Sequence, residues 1–543
     1  MTKIAFIGGG SVQWTPGLVS DMALTETLSA AELVLHDIDA VALKRMVPVC
    51  KRIVKQCNAN MQVTATLDRA KALRGTDFVV LCVGIGGLAA MRDDLEIPGK
   101  YGIYQAVGDT VGPGGLARGL RHIPFAVEVA HKMEALCPEA WMLNLTNPMT
   151  TICRSITRAT HIRTVGLCHE VSGFRGYLAG LLRVPVEQVI FEVAGINHLP
   201  IITRCSIGGR DGLAMLRDWL SEHDVFEFVD EGELTSVFEV FQDHLAVKLT
   251  LFKQLGVLFG AGDRHVAEFF PGFLTDEHGR GRRYGIHLTT VDHREEMARA
   301  RLNIAENYIP PKTVSAEQLA PLMAALLGGP SGQFVVNVPN QGQIDNLPRD
   351  AVVECMAHVD ALGVRPLAVG ALPPAVHAIV AAHVDRQELI VEAALTGRYE
   401  LAKFALASDP LVRDPQTVGP MLEELVAANA HSLRTMDAKS VETDRQRLET
   451  EIAALGAQSL PDVHPAGEQE IARFSVSRST IRELLDNDTA RAILEKHFPE
   501  MIDHPQLAMA ADMTLEAVAA YVPKTLTQEK LQSVEAELVQ LTF

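Results

Sequence analysis

Nowhere in the 543 residues does an apolar run reach 18, so no membrane-spanning helix is expected. No CxxC pair occurs among the eight cysteines, and in a chain of this length they read as reduced thiols, not as a disulfide framework. Basic residues are in deficit: 49 Lys and Arg against 67 Asp and Glu leave a formal net charge of −18. That balance argues against nucleic acid as a partner, because binding phosphates needs a basic face. An anionic small molecule remains compatible if its own site is locally basic. The opening "MTKIAFIGGG" lacks the long apolar stretch and cleavage site of a signal peptide. It reads as a strand entering a turn, and the cytoplasm is the expected compartment. No internal repeat is evident.

What is there is the balance of a folded chain, 48% apolar and 21% charged. Two or three domains are expected at this length. "KIAFIGGG", "AELVLHDID", "TDFVVLCVG", "AWMLNLTNP" and "TVGLCHE" read as short buried strands, with a helix over Arg118 to Leu136. This alternation predicts a doubly wound, Rossmann-like parallel α/β sheet over residues 1–165. The β-prone "VIFEVAGINHLPIITRCSI" opens an α+β metal- and substrate-binding domain, placed at 166–437. From about Ala316 to Ala427 helices are expected to dominate, interrupted by "GQFVVNVPNQG". Residues 438–543 read as an appended helical domain reached through the linker "SLPDVHPAGEQE". Thr480/Glu483 and Thr525/Gln528 have capping-box spacing there, and no catalytic constellation is visible.

The stretch "IAFIGGGSVQWTPGLVSDMAL" is a strand, a glycine turn and a helix. Gly8 and Gly10, with Ser11 beside them, let backbone approach a pyrophosphate, and the following helix N-terminus stabilises its charge. Thr15 and Pro16 suit N-cap and N1. The third glycine of the full fingerprint is absent, Gln13 standing in its place. Asp37, at the end of "LVLHDID", is spaced to hold a ribose, and a carboxylate there favours NAD over NADP. Gly84 in "LCVGIGG" supplies a further glycine loop. "NLTNP" is similar to the stretch that lies beside the nicotinamide in lactate and malate dehydrogenases, which brings Asn144 to the cofactor. Cys168 in "CHEV" and His198 in "GINH" are a soft and a borderline metal ligand, suited together to Mn²⁺, Zn²⁺, Fe²⁺ or Ni²⁺. Each alone also reads as a buried cysteine or a core histidine.

Taken together, "GGGS", "HDID", "GDTVGPGGLARGLRHIP", "NLTNPM", "CHEV", "GINH" and "GDRHVAEFFP" resemble glycoside hydrolase family four, in the family's order, from Met1 to about His431. That family is an NAD-dependent exception to hydrolysis by two carboxylates. The resemblance implies a lactate/malate dehydrogenase-like fold and a mechanism in which NAD⁺ removes hydride from sugar C3. A divalent metal, Mn²⁺ first and Fe²⁺, Co²⁺ or Ni²⁺ as others, then acidifies C2–H. A base takes that proton, the aglycone leaves, water adds at C1 and hydride returns.

The resemblance also implies roles. Cys168 and His198 match the metal ligands. His169 matches the position of a proposed general acid. Asn147, Asp109, Arg92 and Glu170 fall to the substrate. Several members use a tyrosine as C2 base in the stretch matching "GDRHVAEFF"; none stands here, so Asp263 is the expected substitute and His265 the next, otherwise a substrate contact. The full "CHEV" looks like the α-galacturonidase members, whose glycoside or oligouronide substrates need a cation for the carboxylate. "HGRGRRYG", with Arg280, Arg282 and above all Arg283, is the expected source, or else a solvated basic loop. α-Glucosidase, α-galactosidase and α-glucuronidase activities are alternatives within the family, and a 2-hydroxy acid dehydrogenase is the alternative outside it. A homo-oligomer, dimer or tetramer, is expected.

Overall fold

Ile4 and Phe6 pack into one apolar cluster while Ala5 and Ile7 pack into another, so the first strand is buried on both faces. Val80 and its neighbours Val79 and Leu81 repeat this alternation. Strands that are apolar at every position belong in a sheet covered on both sides. The computed structural model describes residues 1–229, 234, 236–315, 317–433, 435–436, 440–457, 474–502, 504 and 507–541. The expected linker at 459–470 lies outside the described residues.

Six strands are parallel: β1 (Lys3–Ile7), β2 (Glu32–His36), β3 (Gln62–Thr66), β4 (Phe78–Leu81), β5 (Trp141–Asn144) and β6 (Arg163–Gly166). Their order is β3-β2-β1-β4-β5-β6, the arrangement of a dinucleotide-binding sheet. The same sheet continues antiparallel through β10 (Gly332–Pro339), β11 (Val352–Asp360), β7 (Val189–Ile196), β8 (Leu199–Ile207) and β9 (Arg210–Asp211), in that order, with β12 (Gly363–Pro366) paired to β11. The joint between the halves is Asn337 against Gly166. The last parallel strand therefore leads to Cys168 just where the antiparallel half begins.

Several local expectations shift. The long helix starts at Gly112, not Arg118, and runs to Leu136. Its glycines allow close approach: a Cβ on Gly115 would meet the Thr110 carbonyl carbon at 2.4 Å. In the first helix Thr15 is already helical and Trp14 is the cap residue. The segment read as helical contains β11 and β12. "VVECMAHVD" is buried almost throughout, so it carries no period of two to betray a strand.

Met1–Glu449 cluster as one unit and Thr450–Phe543 as a second. The second has its own core, with Ile481, Leu484, Leu494, Leu515, Val534 and Leu538 buried. The Thr480/Glu483 capping box forms. Thr525 and Gln528 do not form one; Thr527 caps the last helix by accepting from the Lys530 amide. Among the described residues, no helix is long and apolar enough to cross a membrane.

Candidate functional site

The carboxyl ends of β1, β2 and β4 frame a crevice. Gly8, at φ +93°, is obligatory: a Cβ there would lie 1.9 Å from the Cys82 carbonyl oxygen. The Gly10 amide donates to Asp37 Oδ2 at 3.0 Å, and the Asp39 amide donates to Asp37 Oδ1 at 3.1 Å. Asp37 thus braces the glycine turn, and each of its oxygens keeps a lone pair for a ribose hydroxyl. Ser11 closes the turn, its amide donating to the Gly8 carbonyl and its Oγ accepting from the Trp14 amide. The Val12 and Gln13 amides, ahead of the helix Thr15–Leu24, donate to nothing among the described residues. Unspent amides at a helix N-terminus suit a pyrophosphate. A Cβ on Gly84 would meet nothing within 4 Å, so the loop after β4 leaves room beside the turn. These features fit a dinucleotide.

Asn144 is placed differently from expectation. Its side chain is fully buried and spent on one turn, accepting from the Thr146 amide at 3.1 Å and donating to the Thr146 carbonyl at 3.0 Å. It shapes the turn that presents Asn147 and does not face a cofactor. Thr146 Oγ1 accepts from the Val83 amide, tying this turn to the β4 loop.

Beyond the crevice lies a cavity of about 660 Å³, within the usual range for small-molecule sites. Its wall includes Asp109, Asn147, Cys168, His169, Glu170, His198, Asp263 and His265. Three of these converge: one ligand atom each from Asp109, His198 and His265 lie within 4.8 Å of one another. His198 occupies the two-residue turn between β7 and β8 at φ +66°. Its ring centroid is 3.6 Å from that of His265. Burial is the largest influence on His198 and, with His265 adding to it, lowers the imidazole to about 3. Asp109 accepts from Thr110 Oγ1 at 2.7 Å and from Asn147 Nδ2 at 3.0 Å. Burial pushes its carboxyl up, but His265, His198, Arg118 and the Thr110 hydroxyl outweigh burial, and the net shift is downward. The sequence assigned Asp109 and His265 to substrate; the fold gathers them around His198.

Cys168 is buried on the same wall but is not one of the converging three. Burial, then Glu354 and Glu170, push its thiol well up, so without a cation it stays protonated. The side-chain amide of Asn197, next to His198, is buried against the Cys168 thiol and the Glu354 carboxyl and favours the charged form of each. The neutral imidazole, ionised carboxylate and nearby thiol are a donor set that suits a divalent metal.

His169 is half-exposed, with Nε2 3.5 Å from Glu170 Oε1 and Nδ1 3.9 Å from Glu317 Oε1. Glu170 accepts from the Gly262 amide at 2.8 Å. Burial raises its carboxyl, yet His265, His169 and His198 bring it down to about 2. His265 Nε2 lies 3.7 Å from Glu170 Oε1. Asn147 Oδ1 is buried without a partner, an acceptor directed at nothing the protein supplies.

Asp263 departs from its expected role as base. Its carboxylate accepts from the Val247 and Lys248 amides at 2.8 and 3.1 Å and pairs with Lys248 Nζ at 3.0 Å. A carboxylate held by three donors anchors the helix Ala246–Leu255 and is not free to collect a proton from substrate. Arg92 and Arg283 are also not brought to the cavity. Arg92 is drawn outward by Glu96, Asp292 and Glu295. Arg283 is exposed and stacks over Phe226, and Arg280 pairs with Asp276.

Some residues in the site went unnoticed. Glu268, inside "GDRHVAEFFP", accepts from the Val107 and Gly108 amides at 2.6 and 3.0 Å and so holds the loop that ends in Asp109. Burial raises its carboxyl to about 7. Arg264, Arg294 and Arg301 line the cavity. Arg264 is spent on the carbonyls of Val240, His287 and Ala106 and on Thr289. Burial lowers Arg294 to about 10, opposed most by the charge of Asp109. No motif marks Arg294 or Arg301, because the helix that carries them is charged all along its length.

A dinucleotide-type sheet whose crevice opens onto converging imidazoles and a carboxylate is the frame of an enzyme acting on a small polar molecule. The chain belongs to family 4 of the glycosyl hydrolases: the Family 4 glycosyl hydrolase model matches residues 3–184 and that of its C-terminal domain matches residues 193–412. The chain is 36% identical over 428 residues to an alpha-galacturonidase of Bacillus subtilis (strain 168), covering 76% of this chain and 93% of that one. It is 31% identical over 468 residues to an alpha-galactosidase of Rhizobium meliloti (strain 1021), covering 82% and 92%. The crystal structure of lplD from Bacillus subtilis superposes with a TM-score of 0.72 at 34% identity, over 78% of this chain and 99% of that one. A 6-phospho-beta glucosidase from Thermotoga maritima, solved with manganese, NAD+ and glucose-6-phosphate, shares the fold at a TM-score of 0.67 and 24% identity, over 80% and 100%.

Proposed function

We propose that this family 4 glycosidase is an α-galacturonidase that uses NAD⁺ and a divalent metal, Mn²⁺ first. The observation that carries the reading is the convergence of Asp109, His198 and His265 next to a crevice built for a dinucleotide. The alpha-galacturonidase relative and the "CHEV" stretch support the choice of sugar.

Gly8, Gly10, Ser11 and Asp37 hold the cofactor. His198, Asp109 and Cys168 hold the metal. Bound there, NAD⁺ would supply reversible hydride transfer at a sugar carbon, and a divalent metal would supply the Lewis acidity that makes C2–H acidic. The protein does the rest. Asn147 Oδ1 accepts a hydroxyl of the sugar, which satisfies an acceptor otherwise left bare. His265 takes the C2 proton; its imidazole stacks on His198, and the Glu170 carboxylate, fixed by the Gly262 amide, stabilises the resulting imidazolium. His169 reaches the half-open side of the cavity and protonates the departing glycosidic oxygen. After the aglycone leaves, the same two histidines run in reverse as water adds at C1.

The test is a comparison of kcat/KM on p-nitrophenyl α-galacturonide, α-galactoside and α-glucuronide, each with NAD⁺ and Mn²⁺ and again after chelation. The galacturonide is the expected best substrate, and chelation abolishes its turnover. Equal or better activity on the α-galactoside sinks the uronate reading. Full activity after chelation sinks the metal. Steady accumulation of NADH in step with substrate supports the dehydrogenase alternative, because a glycosidase of this kind regenerates its nicotinamide every cycle.

A further inference from the structure

An acidic protein that takes a uronate must place a cation at the sugar's C6, and the basic loop at 278–285 is not where that cation lies. The helix Val291–Glu306 sends Arg294, Met297, Ala298 and Arg301 into the cavity. These are positions i, i+3, i+4 and i+7, one face of a helix. The acids of the same helix face elsewhere, since Asp292 and Glu295 meet Arg92 on the outside. The Arg294 side chain makes no hydrogen bond or ion pair with any described residue, and its Nε is buried without an acceptor. A half-buried guanidinium on a cavity wall is a natural partner for an anion bound there. Asp109 is the strongest influence of opposite sign, yet the two side chains form no ion pair. Arg301 lies two turns on, about 10 Å along the axis, over the rings of Phe238 and Phe241. Of the two, Arg294 is the one that feels the metal-binding cluster.

We infer that Arg294 is the specificity-determining residue of this site, its guanidinium pairing with the carboxylate of the uronate whose hydroxyls meet Asn147 and the Asp109–His198–His265 cluster. The inference rests on the α-galacturonidase reading. A planar guanidinium matches a planar carboxylate with two parallel N–H···O bonds. A single free guanidinium at the cluster suits the one negative charge of a carboxylate better than the two of a phosphate monoester. The neutral galactoside leaves the same guanidinium unpaired, and the resulting discrimination is about thirty-fold or more.

The experiment measures dissociation constants of D-galacturonate, D-galactose and D-galactose 6-phosphate, by calorimetry with NAD⁺ and Mn²⁺ present, for the full-length protein and for Arg294→Met and Arg294→Lys. Wild type is expected to prefer galacturonate over galactose by about thirty-fold or more. Arg294→Met erases that preference while its affinities for galactose and NAD⁺ stay within about twofold, and Arg294→Lys, which keeps the charge without the fork, restores part of it. If wild type shows the preference and Arg294→Met retains it, the inference is overturned and the uronate reading stands. Equal loss of galactose, galacturonate and NAD⁺ affinity in both variants also overturns it, since that marks a structural role. Tighter binding of galactose 6-phosphate than of galacturonate overturns the carboxylate assignment. A wild type with no preference for galacturonate removes the α-galacturonidase reading itself.

Discussion

Thr110 Oγ1 lies 2.9 Å from His198 Nδ1 and 2.7 Å from Asp109 Oδ1, and this pair of contacts sets the tautomer of His198. The Asp109 carboxyl is held in its ionised form, so it can only accept. The one hydroxyl proton of Thr110 therefore goes to Asp109. The Thr110 oxygen then accepts from His198, which must carry its proton on Nδ1. That leaves the Nε2 lone pair for a metal, in the manner of an outer partner that orients a ligating histidine.

Thr110→Val, which keeps the shape and removes the hydroxyl, is expected to weaken Mn²⁺ binding about 10- to 100-fold. Titration with Mn²⁺ followed by calorimetry checks this, with NAD⁺ affinity as the control for folding. Unchanged Mn²⁺ affinity would mean that His198 is oriented by something other than Thr110.

His265 and Asp263 separate in an isotope experiment. In D₂O the released sugar should carry deuterium at C2. His265→Asn is expected to abolish turnover and with it the washing of deuterium into C2 of bound substrate. Asp263→Asn keeps deuterium at C2 in whatever product it forms but lowers the melting temperature, because it leaves Lys248 with one carboxylate fewer in a buried cluster. Breaking such a pair costs about 3–5 kcal/mol. The reverse pattern would return the base to Asp263.

Glu268 gives the stability of the protein a pH dependence. Its carboxyl is raised from 4.5 to about 7 by burial. Between these values the folded chain holds a proton that the unfolded chain has released, so stability from this group falls as pH rises through that window. Glu268→Gln keeps an acceptor for the Val107 and Gly108 amides and cannot ionise. The drop in melting temperature from pH 5 to pH 7 should be smaller in the variant than in wild type. An equal drop would show that Glu268 does not titrate there.

Arg283→Ala is expected to leave kcat/KM on the α-galacturonide within about twofold, since the side chain is exposed and stacks on Phe226 away from the cavity. Its stability cost is about 0.5–1 kcal/mol, the scale of an exposed cation–π contact. A large fall in kcat/KM with no change in melting temperature would put the basic loop back at the substrate.

The parts that could be read directly are those whose physics is local. Gly8, Gly10 and Asp37 lie within one strand–turn–helix–strand unit, and their spacing along the chain dictates their meeting in space. The alternation of apolar strands and helices predicted the parallel half of the sheet for the same reason. Asn144 was misplaced because "NLTNP" states a turn but not which of its two asparagines points outward. β11 was missed because a strand buried on both faces has no alternating pattern to show.

By itself the sequence determined the nucleotide half, the family, and the set of polar residues from which a site could be made. Only the tertiary structure decided how that set is divided. Asp109, His198 and His265 come from three distant segments and converge because β6 meets β10 and the Glu268 carboxylate pins the Asp109 loop. Asp263 and His265 are two residues apart, yet one pairs with Lys248 and the other stacks on His198. Arg294 is one arginine among several on a charged helix, and what singles it out is that its side chain lines the cavity near Asp109 with no partner among the described residues. Whether a charged side chain is spent or free depends on partners far away in the chain, and no spacing within the sequence records that.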